Sequence, residues 1–467
     1  MNFFLINPPS PRGYVANRDF MGGYGMLHFP GGTVLPPHNL LLLAAMLKEQ
    51  GEVIFLDAVA EDYSEIKIIE QIKLRNPDAV FINTSTPTIE IDCLLAAKLK
   101  KDLDLKVILL GPHAVATAEE VFAKTAADAI LIDISPEVID KLIQLTKSGQ
   151  FKAIPGICIL SGQEVIKQQC PHGDMDNFPF PAWDIAPYNK YFYLYKKEYP
   201  YVTMHSSRGC VFRCKFCPYP VAQQFRYSRM SALRVVREME FLKKEVGAKM
   251  VLFRDALFAA DYKRTAEICR LIKDRGLSLK WRCETSLDSV DKELLLAMKE
   301  AGCLGINFGV ESVSGDVASD MDCEAKRKSL EKTKEVFKTC RELGIETFAF
   351  FINGLPNDSA ETIKENVSFA IELEPDHVQF TFATPFPGTE LFVIAKKENL
   401  LIKKDWKFFS SLEPVMATRW LSLDQVFSIN RQAYSRFFLR PKRIIKEILF
   451  PGRLIRRILT YLNWKQR

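Results

Sequence analysis

Apolar and polar positions alternate along this chain in two successive stretches of the same kind. From residue 1 to about 145, β-like apolar runs at Phe3–Asn7, Val53–Asp57, Ala79–Asn83, Lys106–Leu110 and Ala129–Ile132 are separated by amphipathic segments at helical spacing, namely Asn39–Gln50, Tyr63–Arg75, Thr88–Asp102 and Thr117–Thr125. This order predicts a doubly wound, Rossmann-like α/β domain over residues 1–146, with its ligand edge at the carboxyl ends of the strands. Those ends carry Asn7-Pro8-Pro9, Ser85-Thr86 with Thr88, and Gly111-Pro112-His113. The insertion Pro11–Pro37 holds six glycines and is long enough to form a lid over that edge.

Residues 147–200, rich in Pro, Gly and Tyr and including Phe178-Pro179-Phe180-Pro181-Ala182-Trp183-Asp184, read as a linker. Alternation then resumes over 201–395. Strands are expected at Val202–Ser206, Met250–Phe253, Lys280–Glu284, Gly305–Gly309, Glu346–Ile352 and His377–Phe382, with helices near 231–246, 262–275, 291–302, 325–343 and 359–372. Six strands are too few for a closed eight-stranded barrel. They suit a partial (β/α)6 barrel of the TIM type, with its site at the strand C-terminal ends. Residues 396–467 form a helical, basic extension.

Length and composition restrict the function classes. A chain of 467 residues with 48% hydrophobic and 26% charged residues is globular, which excludes a disordered, collagenous or many-spanning protein. Its eleven cysteines are an odd number spread over a long chain, as expected in a reducing cytoplasm and not in a disulfide scaffold. The start, MNFFLINPPS, reads as a buried first strand and not as a signal peptide. The longest apolar stretch, Leu40–Leu47, is short of a membrane span and reads as a core helix.

Chemistry concentrates after the first strand of the second region, in Ser207-Arg208-Gly209-Cys210-Val211-Phe212-Arg213-Cys214-Lys215-Phe216-Cys217-Pro218. Three cysteines spaced C-x3-C-x2-C on one loop can ligate three irons of a four-iron cluster and leave the fourth open to a ligand. A zinc site is the alternative. It needs a fourth ligand, for which only His205 lies near, and neither flank supplies a second C-x2-C pair.

This loop, with an aromatic residue before its third cysteine, resembles that of the radical S-adenosylmethionine enzymes. The resemblance implies a 4Fe-4S cluster on Cys210, Cys214 and Cys217 that binds S-adenosylmethionine and cleaves it to a 5′-deoxyadenosyl radical, with Phe216 beside the cofactor. It also implies contacts to S-adenosylmethionine from the second and fourth strand ends, which makes Asp255 and Glu311 the candidates. Arg282, on the third strand, either joins them or pairs with Glu284 or Glu311. The electron donor implied is a low-potential carrier such as flavodoxin or ferredoxin.

A doubly wound domain preceding such a barrel is similar to the cobalamin-binding branch of the family, which includes oxidative cyclases, hopanoid-modifying enzymes and methyltransferases. The similarity covers about residues 1–395 and implies cobalamin between the first sheet and the barrel mouth. Two departures stand out. No D-x-H-x-x-G occurs, so a lower-axial histidine is absent from its usual place, and His113 reads as a loop-fixing residue. Asp133-Ile134-Ser135-Pro136-Glu137 replaces the branch's Gly-Glu-Gly-Glu turn. Methyl transfer to a small substrate is the simplest outcome, with oxidation or cyclisation within reach of the same parts. A radical enzyme without functional cobalamin, and a binding or regulatory protein built on a structural metal loop, are the alternatives.

The net charge of +6 is uneven, because residues 431–467 hold 11 Lys or Arg and a single acid, Glu447, a local net of +10 against −4 elsewhere. Basic and bulky apolar residues at helical spacing over 436–464 suit either peripheral contact with the inner face of the cell membrane or packing on the barrel. Membrane contact would suit a lipid or isoprenoid substrate. No nucleic-acid-binding module is recognisable, so no nucleic acid is expected as partner.

Overall fold

The computed structural model describes residues 1–29, 32–168, 173–193, 198–323, 329–441 and 443–445. Among the described residues seventeen strands follow in chain order. β1 (Asn2–Asn7), β4 (Glu52–Asp57), β5 (Ala79–Asn83), β6 (Lys106–Leu110) and β7 (Ala129–Leu131) form a parallel sheet, with β8 (Ile157–Ser161) and β9 (Glu164–Lys167) added antiparallel at its edge. β2 (Val15–Asn17) and β3 (Met26–His28) pair as a separate hairpin. The strand order β4-β1-β5-β6-β7 is that of a doubly wound fold, with buried residues on both faces.

The second sheet is parallel throughout, in the order β10 (Tyr201–Met204), β13 (Met250–Phe253), β14 (Lys280–Thr285), β15 (Cys303–Glu311), β16 (Glu346–Asn353) and β17 (His377–Phe382). Spatial order equals chain order, as in an open partial barrel. The outer helices start on local signals: Ser231, Asp261, Asp291, Ser329, Ser359 and Thr389 each accept a hydrogen bond from a backbone N–H of the first turn. β11 (Ser207–Arg208) and β12 (Ser228–Arg229) pair antiparallel at the barrel mouth and enclose the cysteine loop.

Residues 147–200 are not only a linker. They contribute β8 and β9, because Ile157, Cys158 and Ile159 bury against β7 and a two-residue Gly162-Gln163 turn returns the chain. The helix Pro136–Ser148 also enters the core, with Val138, Ile139, Leu142 and Ile143 buried. The helix His38–Lys48 buries Leu40–Leu43 and Leu47, as a core segment should, and His38 Nδ1 stands 3.2 Å from the Thr203 carbonyl of β10.

Of the basic segment 436–464, only 436–441 and 443–445 are described, and the rest lies outside the described residues. The described part meets the barrel at some positions only: Phe437 is buried and Arg443 donates to the Pro375 and Asp376 carbonyls, while Leu439, Ile444 and Ile445 are exposed. Among the described residues no helix is long and apolar enough to cross a membrane.

The insertion Pro11–Pro37 is tied down by a fully buried ion pair. Arg18 donates to Asp92 Oδ1 at 2.7 Å and to the Pro8 carbonyl at 2.6 Å, and Asp92 also accepts from Thr88 Oγ1 at 2.6 Å. Removing one partner leaves an uncompensated buried charge. Asp92→Ala is therefore expected to destabilise the chain by about 3–5 kcal/mol in denaturant unfolding, and the paired replacement Arg18→Met with Asp92→Leu to recover most of that loss.

Candidate functional site

The cysteine loop grows from a closure that only glycine permits. At Gly209, with φ +78°, a Cβ would stand 1.5 Å from the Arg226 carbonyl oxygen, so the two arms of the β11–β12 hairpin meet directly under Cys210. Cys217 caps a short helix, Pro218–Ala222, and Cys214 is buried in an apolar cluster with Phe216, Met321, Leu355 and Leu391. Among the described residues no three His, Cys, Asp or Glu side chains converge as the ligands of one metal ion do.

Cys210 and Cys217 line a cavity of about 180 Å³ at the carboxyl ends of the barrel strands, together with Phe216, Asn307, Gly309 and Glu311. Glu311 sits at a register shift in β15 with φ +65°, a left-handed conformation that is costly for a residue with a Cβ, and its carboxylate folds back over Gly309. Asn307 Oδ1 is buried with no hydrogen-bond partner among the described residues. An orphaned acceptor and a carboxylate at the rim of a thiol-lined cavity fit a ligand that brings amine or hydroxyl donors. Much of the remaining wall is apolar: Phe20, Met26, Leu257, Phe350, Phe382 and Phe386.

Two sequence candidates lie elsewhere. The Asp255 carboxylate accepts from Ser206 N at 2.7 Å, Ser206 Oγ at 2.5 Å and Ser207 Oγ at 2.8 Å, and it is not part of the cavity wall. Burial holds its pKa above the ordinary carboxylate value, an effect that those donors and the Arg264 charge only partly offset. Asp255 thus anchors the base of the cysteine loop. Arg282 is buried toward the other end of the barrel and donates to Glu346 at 2.8 Å, pairing with neither Glu284 nor Glu311. Glu284 does line the cavity, and its partner is Arg254 at 2.9 Å, whose guanidinium covers the Phe20 ring at 4.5 Å. Glu284 and Asn307 line the cavity without having been sequence candidates, and Arg254 stands behind Glu284 as its partner.

A second cavity, of about 420 Å³, lies at the carboxyl edge of the first sheet, walled by Asn83, Gly111, Asp133 and Ile134 on one side and by Arg208 and Val221–Phe225 on the other. Gly111, with φ +128°, leaves no room for a side chain, since a Cβ would stand 2.5 Å from Thr84 Oγ1. His113 does not line this cavity. Its Nδ1 faces Thr86 Oγ1 at 3.2 Å, its ring meets Trp406 edge-on, and burial lowers its pKa to about 3. Arg208 crosses between the domains, donating to the Ile134 carbonyl at 3.0 Å and pairing with Asp133 at 3.8 Å.

The insertion expected to be a lid is a partition between the two cavities. Phe20 and Met21 line the barrel cavity, while Asp19, Gly22 and Gly23 line the other. The helix at Pro218–Ala222 does the same, with Pro218 and Tyr219 on one side and Val221 and Ala222 on the other.

Comparison with known proteins accords with both halves. The pattern of the B12 binding domain matches residues 31–139, and that of the Radical SAM superfamily matches residues 204–370. An uncharacterized methyltransferase of Pyrococcus horikoshii is 31% identical over 440 residues, covering 92% of this chain and 94% of the relative. The anaerobic magnesium-protoporphyrin IX monomethyl ester cyclase of Rubrivivax gelatinosus is 27% identical over 422 residues, covering 86% and 74%. Among solved structures, the radical S-adenosylmethionine methyltransferase TsrM of Kitasatospora setae, with cobalamin and a [4Fe-4S] cluster bound, superimposes with a TM-score of 0.68 at 18% identity, over 86% of this chain and 79% of that one, which is a likeness of fold. The chain belongs to the radical S-adenosylmethionine superfamily, in its cobalamin-dependent branch of methyltransferases and cyclases.

Proposed function

We propose that Cys210, Cys214 and Cys217 hold the 4Fe-4S cluster, that S-adenosylmethionine binds in the barrel cavity against Phe216, Asn307 and Glu311, and that cobalamin occupies the second cavity. One observation carries this reading: Cys210, Phe216 and Cys217 of the cysteine loop and Glu311 of β15, about a hundred residues on, line one cavity that abuts a second across a single turn of chain. When bound, the cluster and S-adenosylmethionine supply a 5′-deoxyadenosyl radical, and cobalamin supplies a methyl carrier.

The chain's own residues then have distinct parts. Asn307 Oδ1 accepts from an amine or hydroxyl that would otherwise stay in water, and Glu311 adds an acceptor with a negative charge. Leu257, Phe350, Phe382 and Phe386 exclude water, so that a reactive carbon centre meets only the C–H bond presented to it. Gln379, Thr381 and Thr384 supply the few polar groups that can orient a substrate. A wall of this composition supports methyl transfer to a small, largely apolar molecule. Asp255 and Arg282 act at one remove, the first on the cysteine loop and the second between β14 and β16.

Replacing any one of Cys210, Cys214 or Cys217 by Ala is expected to abolish retention of iron and sulfide after anaerobic reconstitution, together with formation of 5′-deoxyadenosine. Retention of both at wild-type levels would reject the ligand assignment. Glu311→Gln and Asn307→Ala are each expected to raise the Kd for S-adenosylmethionine on the order of tenfold in equilibrium dialysis, as the loss of one charge-assisted hydrogen bond does. Arg282→Met should leave that Kd unchanged and lower the unfolding midpoint instead. Anaerobic incubation of the holoenzyme with reductant, S-adenosylmethionine and cell extract is expected to yield 5′-deoxyadenosine and S-adenosylhomocysteine together. The first product alone would point to a radical reaction other than methylation.

A further inference from the structure

The barrel cavity holds one charged group that the reading above leaves without a part. Glu284 on β14 is in register with Asn307 on β15, so two side-chain acceptors stand on neighbouring strands at one level of the cavity wall. Arg254 donates to Glu284 Oε1 at 2.9 Å, and Oε2 accepts from no described residue. The Glu284 side chain is 20% exposed, and what it is exposed to is the cavity.

The pair is poorly explained as structural support. Arg254 is buried, yet its Nε and Nη2 have no hydrogen-bond partner among the described residues. For stability alone, a buried guanidinium with two orphaned donors is a worse choice than an apolar side chain of the same size. What the arrangement does achieve is a fixed carboxylate, with one oxygen held from behind and the other left to the cavity.

The remaining wall restricts what that oxygen can meet. Glu284 and Glu311 are its two carboxylates, and among the described residues no Lys, Arg or His lines it, whereas Lys167 and Arg208 line the second cavity. A carboxylate or phosphate entering the barrel cavity would be buried without a counter-ion. A substrate cation is no better placed, because Arg254 already neutralises Glu284 and S-adenosylmethionine brings its own sulfonium. An uncharged donor meets neither cost.

We propose that Glu284 is the specificity-determining residue of the barrel cavity and that the substrate is an alcohol, an uncharged and largely apolar molecule whose hydroxyl donates to Glu284 Oε2. This rests on the reading above, in which S-adenosylmethionine takes the side of Asn307 and Glu311, and it names the class of molecule that fills the rest. A site built to receive a hydroxyl rejects an analogue without one, because its own acceptor is then buried unpaired. The hydroxyl keeps its proton, so Glu284 orients the molecule and takes no part in the bond changes.

The test uses holoenzyme loaded with cluster and cobalamin, with S-adenosylmethionine and titanium(III) citrate as reductant. A solvent extract of cells is divided on anion- and cation-exchange resins into acidic, basic and neutral fractions, and multiple-turnover formation of S-adenosylhomocysteine is followed with each. The neutral fraction is expected to carry the activity, and acetic anhydride, which esterifies hydroxyls, to remove it. Glu284→Ala should bind S-adenosylmethionine with the wild-type Kd in equilibrium dialysis and turn over a limiting amount of the neutral fraction about tenfold or more slowly. Sodium formate, which can pair with Arg254 in the space the side chain leaves, should restore the Ala variant severalfold and leave the wild type unchanged. Glu284→Gln keeps one acceptor oxygen and should fall between the two. Activity in the acidic or basic fraction, or its survival of acetylation, would overturn the substrate class. A raised Kd for S-adenosylmethionine in Glu284→Ala, a wild-type rate in that variant, no rescue by formate, or a Gln variant no better than Ala would overturn the role of Glu284. Failure of the wild type to form S-adenosylhomocysteine with every fraction is a different result, and it strikes the methyl-transfer reading beneath.

Discussion

The site depends on how tightly the segment from Ser206 to Met230 is closed at its base. Arg264 donates to the carbonyls of both ends, Met230 at 2.6 Å and Ser206 at 2.8 Å. Asp255 takes three hydrogen bonds from Ser206 and Ser207. Between these clamps the hairpin arms touch at Gly209, where the backbone of Arg226 occupies the space of a side chain. The loop bearing three thiols, the short helix after it and the exposed Phe225 turn are thus one rigid unit, set by buried polar groups that are all oriented inward. A buried carboxylate and a buried guanidinium are costly alone, and together they fix a geometry that an apolar base could not specify.

A second constraint follows from the first, because that unit is also one side of the partition between the cavities. Its other side, Asp19–Gly23, is held from below by Arg18 and Asp92 and from the barrel by Arg254 over Phe20. Asp19 accepts from Asn39 N at 2.9 Å, and the Tyr24 hydroxyl donates to the Pro387 carbonyl at 2.6 Å. Gly23 leaves no room for more, since a Cβ there would stand 2.8 Å from Pro112 Cδ. Two chambers one turn apart are what a reaction needs when one chamber generates a reactive carbon and the next supplies a group to it: close enough for transfer, separate enough for each ligand to be bound by its own walls.

How much of this was legible in the sequence depends on whether the signal was local. The barrel strands and the C-x3-C-x2-C loop are runs and spacings within about one element, and they emerge where the pattern puts them. The hairpin of β8 and β9 was legible in principle, as Ile157–Leu160 and Val165–Ile166 flank Ser161-Gly162, but the prolines and glycines around it read as linker. Asp255 and Arg282 show the limit. Sequence places each on a strand near the site, but the partner that turns each side chain away is set by tertiary packing, Ser206 for one and Glu346, 64 residues on, for the other. Asn307 gave no signal at all, because an unpartnered oxygen is a property of the space around a residue.

The same packing settles the electrostatics of the interface. Burial, before any neighbouring charge, lowers the pKa of His28 to about 4 and of His38 and His113 to about 3, and takes His205 well below its usual range. These four imidazoles are therefore neutral at physiological pH. Arginine–carboxylate pairs stand around the cavities: Arg18 with Asp92 in the first domain, Arg254 with Glu284 in the barrel, and Arg208 with Asp133 across the two. Guanidinium keeps its proton in this range, so the cationic half of each pair is fixed, whereas burial raises the pKa of the Asp19 carboxyl, in the wall of the second cavity, and of Asp92. With the imidazoles neutral, a change in pH reaches this region through buried carboxyls, and the hydrogen bonds that Asp19 accepts from Asn39 N and Asp92 from Thr88 oppose their protonation.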